Sequence, residues 1–357
     1  MDKEVLRDIW QGQLPLCFRL HEDDVGGMHP PDPYYMMVPR VTYFPIVLDR
    51  VVKYFNRFMD PNKSTNDDMW LDYDGQPIKW QHPIGLSWDL FGSSCDLPWR
   101  LMLHFSSFPK KDLVRCNTKS AIKTNFMSSI KEADSLKHKG NVIRNIVEKD
   151  QNQLWSSLCN DKFDQFLSIN KRLMERIDNE LFRYIPYRLY FPDYTYVQKI
   201  VKPCTIEPHI FCDFEKQESN SSKRSSTQLP IIYDSEFVIS KAHKCSHSTT
   251  EIEKTSKRNC EHRFSTLLDL IHISFKDRLD DLVTVSKAQE REESPSEAGG
   301  NPKASLIDVR HFKYRFLSHG IEIPFDAPLH WLSENMSYPD NFLHICAVRK
   351  NKTTEFL

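Results

Sequence analysis

Apolar and polar residues alternate over the first part of the chain. The alternation at residues 14–20 and the apolar run at 34–38, separated by Gly and Pro residues, are typical of two strands joined by a turn. Between residues 42 and 59 the apolar positions, among them Val47 and Val51, recur at intervals of three and four. This spacing predicts a helix after the two strands.

The next stretch returns to the strand pattern. Residues 70–80 alternate around an Asp-Gly turn, Pro83 opens a short apolar segment, and residues 100–105 alternate again. These features predict a hairpin, a helix and a final strand. The whole order is typical of a β-grasp domain, which is predicted to span residues 10–108.

The end of the chain repeats this order with different residues. Residues 313–323 predict a strand, a Gly turn and a strand, and residues 341–345 predict a last strand. Between them, residues 326–332 predict a short helix with Asp326 as its N-cap and Pro328 in its first turn. The pattern therefore indicates the second half of another β-grasp domain.

The first half of that domain is found further upstream. Residues 183–190 and 196–200 predict a hairpin, and residues 264–271 predict its helix, in which Thr266 and Asp269 have the spacing of a capping box. The predicted domain spans residues 182–349.

Single residues support the internal repeat. Gly75 and Gly320 occupy matching turns, and Pro98 and Pro339 occupy matching positions before the last strand of each predicted domain.

The middle of the chain has helical spacing and almost no strand signal. A helical domain is predicted over residues 117–176, with Asn160 as the N-cap of its last helix. One stripe of that helix contains Phe163, Phe166, Leu167, Asn170, Leu173 and Met174. The predicted fold class is thus α+β, with two ubiquitin-like β-grasp domains flanking a helical domain.

Two stretches are too polar to form a core. Residues 213–260 are rich in Ser, Lys, Thr and Glu, and residues 286–304 are similarly charged. Such segments bury too little apolar surface to offset their loss of conformational entropy. They are predicted to be disordered insertions in the second β-grasp domain.

Composition excludes several classes of protein. The formal net charge of the 357 residues is -1, which argues against a general coat for nucleic acid. The start of the chain has no signal-like apolar stretch, and the most apolar run, residues 34–48, is broken by Pro39, Arg40 and Pro45. Nine cysteines without a CxxC pair indicate a reducing compartment. The chain is expected to be soluble and cytoplasmic.

Lys131 lies in a predicted helix of the middle domain. The apolar face of its predicted helix contains Ile122, Phe126, Ile130, Ala133 and Leu136. At about 100° per residue Lys131 lies roughly opposite that face, among small or polar neighbours, so its amine should be exposed. An ordinary exposed lysine is protonated and unreactive at pH 7, so covalent chemistry at this amine requires activation by another enzyme. Exposure alone is typical of a solvated surface.

Motifs for catalysis are missing from the sequence. It contains no GxSxG, HExxH or phosphate-binding Walker motif. The dipeptide at His82 and Pro83 faintly resembles the His-Pro turn of ubiquitin-conjugating enzymes, but no matching cysteine accompanies it, so a helix opened by Pro83 is the favoured interpretation. No catalytic residue and no cofactor are predicted.

Two further groups of residues bear on metal and lipid binding. His243, Cys245, His247, Cys260 and His262 have no standard zinc spacing, so no metal site is predicted there. Basic residues at 137–139 and 110–111 offer a weak contact for anionic lipid.

Several runs of residues follow one another in the order of a known family. They are Tyr34-Tyr35, Pro39-Arg40-Val41, Leu97-Pro98-Trp99, Phe126-Met127-Ser128, Lys131 to Lys139, Asp161 to Phe166, Phe182 to Pro186, and Trp331 to Ile345. Through these runs the chain resembles the autophagy protein 5 family over nearly its whole length. Long collinear runs are far more specific than a short motif. The polar insertions depart from the family pattern.

This resemblance implies a function. In the family, a lysine at the position of Lys131 receives the C-terminal glycine of ubiquitin-like autophagy protein 12 through an isopeptide bond. Implied partners are autophagy protein 12, the N-terminal helix of autophagy protein 16, and, transiently, the E1-like and E2-like conjugating enzymes. The conjugate would act as an E3-like complex that promotes lipidation of autophagy protein 8 with phosphatidylethanolamine, with peripheral recruitment to the phagophore or pre-autophagosomal membrane.

A plain binding module, whose ubiquitin-like domains engage partners without a covalent bond, is the alternative hypothesis. The chain ends without a Gly-Gly tail, so we expect it to receive a modifier and not to act as one.

Overall fold

The computed structural model describes residues 1–59, 68–92, 96–175, 180–206, 262–275 and 312–350. The predicted polar insertions lie outside these ranges. None of the helices described is both long enough and apolar enough to cross a membrane.

The first domain is built around a mixed sheet. Its strands are β1 (Gln13–Leu20), β2 (Tyr34–Pro39), β3 (Trp70–Tyr73), β4 (Gln76–Pro77) and β5 (Trp99–His104). Its helices are α1 (Lys3–Gln11), α2 (Phe44–Val47), α3 (Asp49–Phe55) and α4 (Ile84–Phe91), and a 3-10 helix spans Glu22–Asp24. The spatial order is β2-β1-β5-β3-β4, in which β1 and β5 are parallel and the other pairs antiparallel.

The alternation seen in the sequence explains how this sheet forms its core. Leu14, Leu16 and Phe18 point to one face and are buried, because successive side chains of a strand point to opposite sides. Phe44 and Phe55 from the two helices after β2 pack into the same core. The predicted single helix over residues 42–59 is therefore two consecutive short helices.

The helical domain follows. Its helices are α5 (Lys119–His138), α6 (Asn141–Arg144), α7 (Glu148–Cys159) and α8 (Phe163–Met174). The side chain of Thr118 caps α5 by accepting from the Ala121 N–H at 3.1 Å. Lys139 and Gly140 end α5 in the left-handed conformation.

The second sheet repeats the topology of the first. Its strands are β6 (Ile185–Tyr190), β7 (Tyr196–Val201), β10 (Tyr314–Ser318), β11 (Ile321–Glu322) and β12 (Leu343–Arg349), beside a small ladder of β8 (Cys204–Ile206) and β9 (His262–Phe264). Its helices are α9 (Leu267–Ser274) and α10 (Leu329–Asn335). The order β11-β10-β12-β6-β7, with β6 parallel to β12, matches the first sheet strand for strand. The predicted α+β class with two ubiquitin-like folds around a helical domain is confirmed.

Both predicted glycine turns are present. Gly75 and Gly320 have φ of +75° and +80°, and the residues before them, Asp74 and His319, also have positive φ. Two successive positive φ values are what the tight turns of twisted hairpins require. The capping box of Thr266 and Asp269 at the start of α9 is confirmed as well.

Two predicted helix caps were wrong. Asn160 follows α7, where its side-chain amide donates to the Ser156 carbonyl at 2.7 Å, so it closes that helix and does not open α8. Asp326 lies outside α10, which begins at Leu329 with Pro328 as its N-cap. The amide of Asn can cap either end of a helix, and the start of α10 is held by another segment, because the Leu329 N–H donates to the Ser265 carbonyl at 2.8 Å.

Candidate functional site

Lys131 lies on the exposed side of α5. The opposite side of that helix is held by Ile122, Phe126, Ile130 and Ala133, each fully buried. The predicted orientation of the helix is therefore correct, and the Lys131 side chain is open to solvent. No hydrogen bond or ion pair of its Nζ atom is found within the part of the chain that the structure describes.

Neighbours of Lys131 fix this turn of α5 against the second domain. The Gln198 side-chain amide of β7 donates to Glu132 Oε1 at 2.6 Å. Arg188 of β6 donates to the Ser129 hydroxyl at 3.3 Å. The lysine thus projects from a turn that side-chain hydrogen bonds connect to two neighbouring strands of the second sheet, which favours a fixed attachment point for a second protein.

The last residues of α5 do not lie as a contact with anionic lipid would require. Lys137 and His138 are 2% and 8% exposed, so the suggested contact of residues 137–139 with anionic lipid was wrong for these two. The Lys137 ammonium lies 3.2 Å from Met174 Sδ and 5.0 Å from the centre of the Phe182 ring. Burial lowers the pKa of Lys137 to about 7, although nearby acidic groups oppose the shift. Lys139, by contrast, is exposed.

An apolar groove, with a volume of about 570 Å³, lies between α1 and the second domain. One wall is formed by α1, through Val5 and Ile9, and the other by β11 and α10, through Ile321 and Trp331. Ile321 and Trp331 are 54% and 40% exposed. Large apolar side chains exposed together along a concave surface are typical of a binding site for a protein segment.

Acidic residues border this groove. Asp8 of α1 and Glu322 of β11 line it and are exposed, and neither makes an ion pair with another described residue. The groove therefore suits an amphipathic helix that carries basic residues beside its apolar stripe.

The relative position of the two sheets is fixed below the groove. Asp89 of α4 is buried, pairs with Arg40 at the end of β2, and accepts the Gly320 N–H at 2.8 Å. Burial raises the pKa of Asp89, although Arg40 stabilises its charged form. Since Gly320 belongs to the second domain, this cluster joins the two ubiquitin-like folds, and Arg40 also lines the groove.

A second contact area joins the same two sheets. Leu86 of α4 packs with Tyr190, Leu317, Tyr338 and Cys346 of the second sheet. This explains why β12 is buried on both faces over most of its length.

The structure tests the interpretation of His82 but not that of the His/Cys cluster. His82 is buried, and its pKa is lowered to about 3 chiefly by burial, so its ring is neutral. Pro83 is the N-cap of α4, which confirms the interpretation of a helix opened by proline. The cluster at residues 243–262 lies outside the described residues except for the backbone of His262, so its prediction stays untested.

Sequence reasoning missed the groove. Its walls come from residues 5–12, Arg40 and residues 319–336, and only tertiary structure brings them together. One signal was present: Val5, Leu6, Ile9 and Trp10 have helical spacing behind Asp2, which accepts from the Glu4 N–H at 3.0 Å.

Two sheets of β-grasp topology around a helical bundle define a protein built from ubiquitin-like domains. Family models match the chain over three stretches: "Autophagy protein ATG5, UblA domain" at residues 9–105, the "alpha-helical bundle region" of the same protein at 119–176, and its "UblB domain" at 238–347. The chain belongs to the autophagy protein 5 family, and its function lies in autophagy.

Individual relatives agree with this assignment. The chain is 44% identical to Autophagy protein 5 of Drosophila melanogaster over 208 residues, which are 57% of this chain and 77% of the relative. It is 26% identical to Autophagy protein 5 of Arabidopsis thaliana over 98% of this chain and 99% of that protein. The crystal structure of Kluyveromyces marxianus Atg5 superimposes with a TM-score of 0.64 at 15% identity, covering 97% of this chain and all of the other, which shows the shared fold.

Proposed function

We propose that this protein is a non-enzymatic conjugation scaffold whose Lys131 accepts the C-terminal glycine of autophagy protein 12 in an isopeptide bond. The observation that supports the proposal most is the exposed position of Lys131 on a turn of α5 that is hydrogen-bonded to the second domain, in a chain of this family. Activation would come from the E1-like and E2-like enzymes of the conjugation system, because an exposed lysine is protonated at neutral pH.

The groove supplies the second part of the proposal. Its exposed apolar walls and acidic border favour the N-terminal helix of autophagy protein 16 as a non-covalent partner. The assembled conjugate would then act as an E3-like complex, positioning other proteins for lipidation of autophagy protein 8 with phosphatidylethanolamine. This work would take place in the cytoplasm and at the phagophore membrane, which the protein reaches through its partners.

Replacing Lys131 with Arg tests the covalent step. The variant keeps the charge and helix propensity but lacks an amine that can form the normal isopeptide bond. We expect a shifted band, stable to boiling and reductant on an immunoblot of cells, to disappear. Lys139→Arg is the matched control, since Lys139 is also exposed and lies at the end of the same helix. Its shifted band should persist.

The same blot separates the two hypotheses. A shifted band of equal intensity in Lys131→Arg would show that another residue is the acceptor. Absence of any shifted band for the unaltered protein, in cells that conjugate other substrates, would favour the plain binding module.

A further inference from the structure

His21, Asp24 and His104 meet at one end of the first sheet. His21 directly follows β1, Asp24 ends the 3-10 helix, and His104 is the last residue of β5. Because β1 and β5 are parallel neighbours, their carboxyl ends lie at the same edge. One potential ligand atom of each residue lies within 4.8 Å of those of the other two, and the two imidazole rings are 4.4 Å apart.

Asp24 brings negative charge into the interior. It is 1% exposed, and its two oxygens accept from the Phe105 N–H at 2.9 Å and from the Ser106 hydroxyl at 2.7 Å. No lysine or arginine among the described residues pairs with it. A buried carboxylate without a cationic partner is costly, and a metal ion would supply the missing positive charge.

Asp72 orients His104. Its Oδ2 atom is hydrogen-bonded to His104 Nε2, and its Oδ1 atom accepts the Gly75 N–H at 3.0 Å. A carboxylate oxygen accepts hydrogen bonds, so in this arrangement His104 carries its proton on Nε2 and keeps a lone pair on Nδ1. Trp70 stacks on the His104 ring at 3.9 Å and holds it in place.

His21 has the freedom that a metal ligand needs to bind from solution. Its side chain is 36% exposed, so an ion can reach the cluster past it. Its Nδ1 atom accepts the Asp23 backbone N–H at 3.3 Å and lies 3.7 Å from the Asp23 carboxylate. An ion that binds at Nε2 replaces the ring proton there, and the proton moves to Nδ1. The Asp23 carboxylate can then accept a hydrogen bond from Nδ1–H in place of the one that the Asp23 N–H donates.

We propose that His21, Asp24 and His104 form a zinc-binding site, with Asp72 as the positioning residue of His104. Two imidazoles and one carboxylate suit zinc, whereas magnesium and calcium prefer oxygen ligands. A carboxylate that orients a ligand histidine is a regular second layer of zinc sites. The ion would tie the ends of β1, the 3-10 helix and β5 together and stabilise the first domain.

Titration of the full chain with zinc chloride tests the site, after removal of metal with a chelator and with the heat of binding as the readout. The unaltered protein and His29→Gln, a control at an exposed histidine of the following loop, should share one binding event. We expect His21→Gln to lose that event and Asp72→Asn to weaken it by about 10–100-fold. Because His21→Gln alters only this site, comparing it with the unaltered protein separates zinc binding here from any zinc bound by cysteines elsewhere.

Thermal unfolding gives an independent readout. Zinc should raise the melting temperature of the unaltered protein and of His29→Gln but not that of His21→Gln, since binding to the native state alone stabilises it. His21 is partly exposed, so its variant should fold, as circular dichroism without zinc will verify. Equal zinc affinity, stoichiometry and thermal shift in His21→Gln and the unaltered protein would overturn the proposal.

Discussion

Asp340 is a buried acidic residue of the second domain that has several hydrogen-bond partners. Arg188 Nη1 and His344 Nε2 lie 3.0 Å and 3.1 Å from its Oδ2 atom, and its Oδ1 atom accepts the Phe342 N–H at 3.2 Å. Burial would raise its pKa, but His344 and Arg188 outweigh burial and lower the pKa to about 2. Because Arg188 also contacts Ser129 of α5, this carboxylate helps to fix the helix that presents Lys131.

The lowered pKa predicts a pH dependence of stability. A carboxyl group whose pKa falls from 3.8 to about 2 on folding stabilises the native state above about pH 4 and loses this contribution as the pH falls towards 2. The contribution is about 2 kcal/mol. In Asp340→Asn, we expect the urea midpoint to be lower at pH 7 and to decline less steeply below pH 4. Asp164→Asn, at a carboxylate that is 71% exposed, should follow the unaltered protein. Parallel pH profiles for all three proteins would contradict the assignment.

At the scale of elements, the two glycine turns form a matched pair. An added Cβ at Gly75 would meet nothing within 4 Å, whereas one at Gly320 would lie 3.0 Å from the Arg40 guanidinium. Both glycines have positive φ, so Ala in either place costs about 1–2 kcal/mol in backbone strain. Gly320→Ala should cost more, because it also disturbs the Arg40 and Asp89 cluster between the domains.

Thermal melting of both variants measures this difference. We expect a larger fall in melting temperature for Gly320→Ala than for Gly75→Ala. Equal falls would mean that the inter-domain cluster contributes nothing beyond the turn itself.

Many of the helices, strands and turns were predictable from the sequence, for physical reasons. Period-two alternation at residues 14–20 and the capping box of Thr266 and Asp269 depend on local geometry, which the sequence specifies directly. Asn160 was misplaced because its amide can serve either end of a helix. Lys137 was misplaced because a lysine is almost never fully buried, and its surroundings, Met174 and Phe182, come from other segments.

At the scale of the whole molecule, the candidate site divides into a predictable and an unpredictable part. The exposure of Lys131 follows from the angle about the helix axis between its side chain and the buried face of α5. All the residues that define this angle lie in one short segment of the sequence. The groove needs segments that are far apart in the chain and a fixed angle between two sheets, set by contacts such as the one between Asp89 and Gly320. No pattern within a single segment of the sequence specifies the angle between the two sheets.

The groove makes its own prediction. In Ile321→Glu, a negative charge replaces an apolar side chain on a wall that already carries Glu322. Binding of a synthetic peptide of the autophagy protein 16 N-terminal helix, followed by fluorescence anisotropy, should weaken by at least about tenfold. Ile321 is 54% exposed, so stability should change little.

Val147→Glu is the control for this variant. Val147 is also an exposed apolar residue, at 61%, and lies at the start of α7, where an acidic side chain is favourable. Its peptide affinity should equal that of the unaltered protein. Unchanged affinity in Ile321→Glu would place the helix elsewhere.

The most direct test of the central claim is to locate the covalent bond. The conjugate is purified from cells, digested with trypsin and sequenced by mass spectrometry. We predict a branched peptide in which the Nζ atom of Lys131 carries the C-terminal glycine of autophagy protein 12, while Lys139 is unmodified. A branch at any other lysine, with Lys131 recovered only in its free form, would contradict the account.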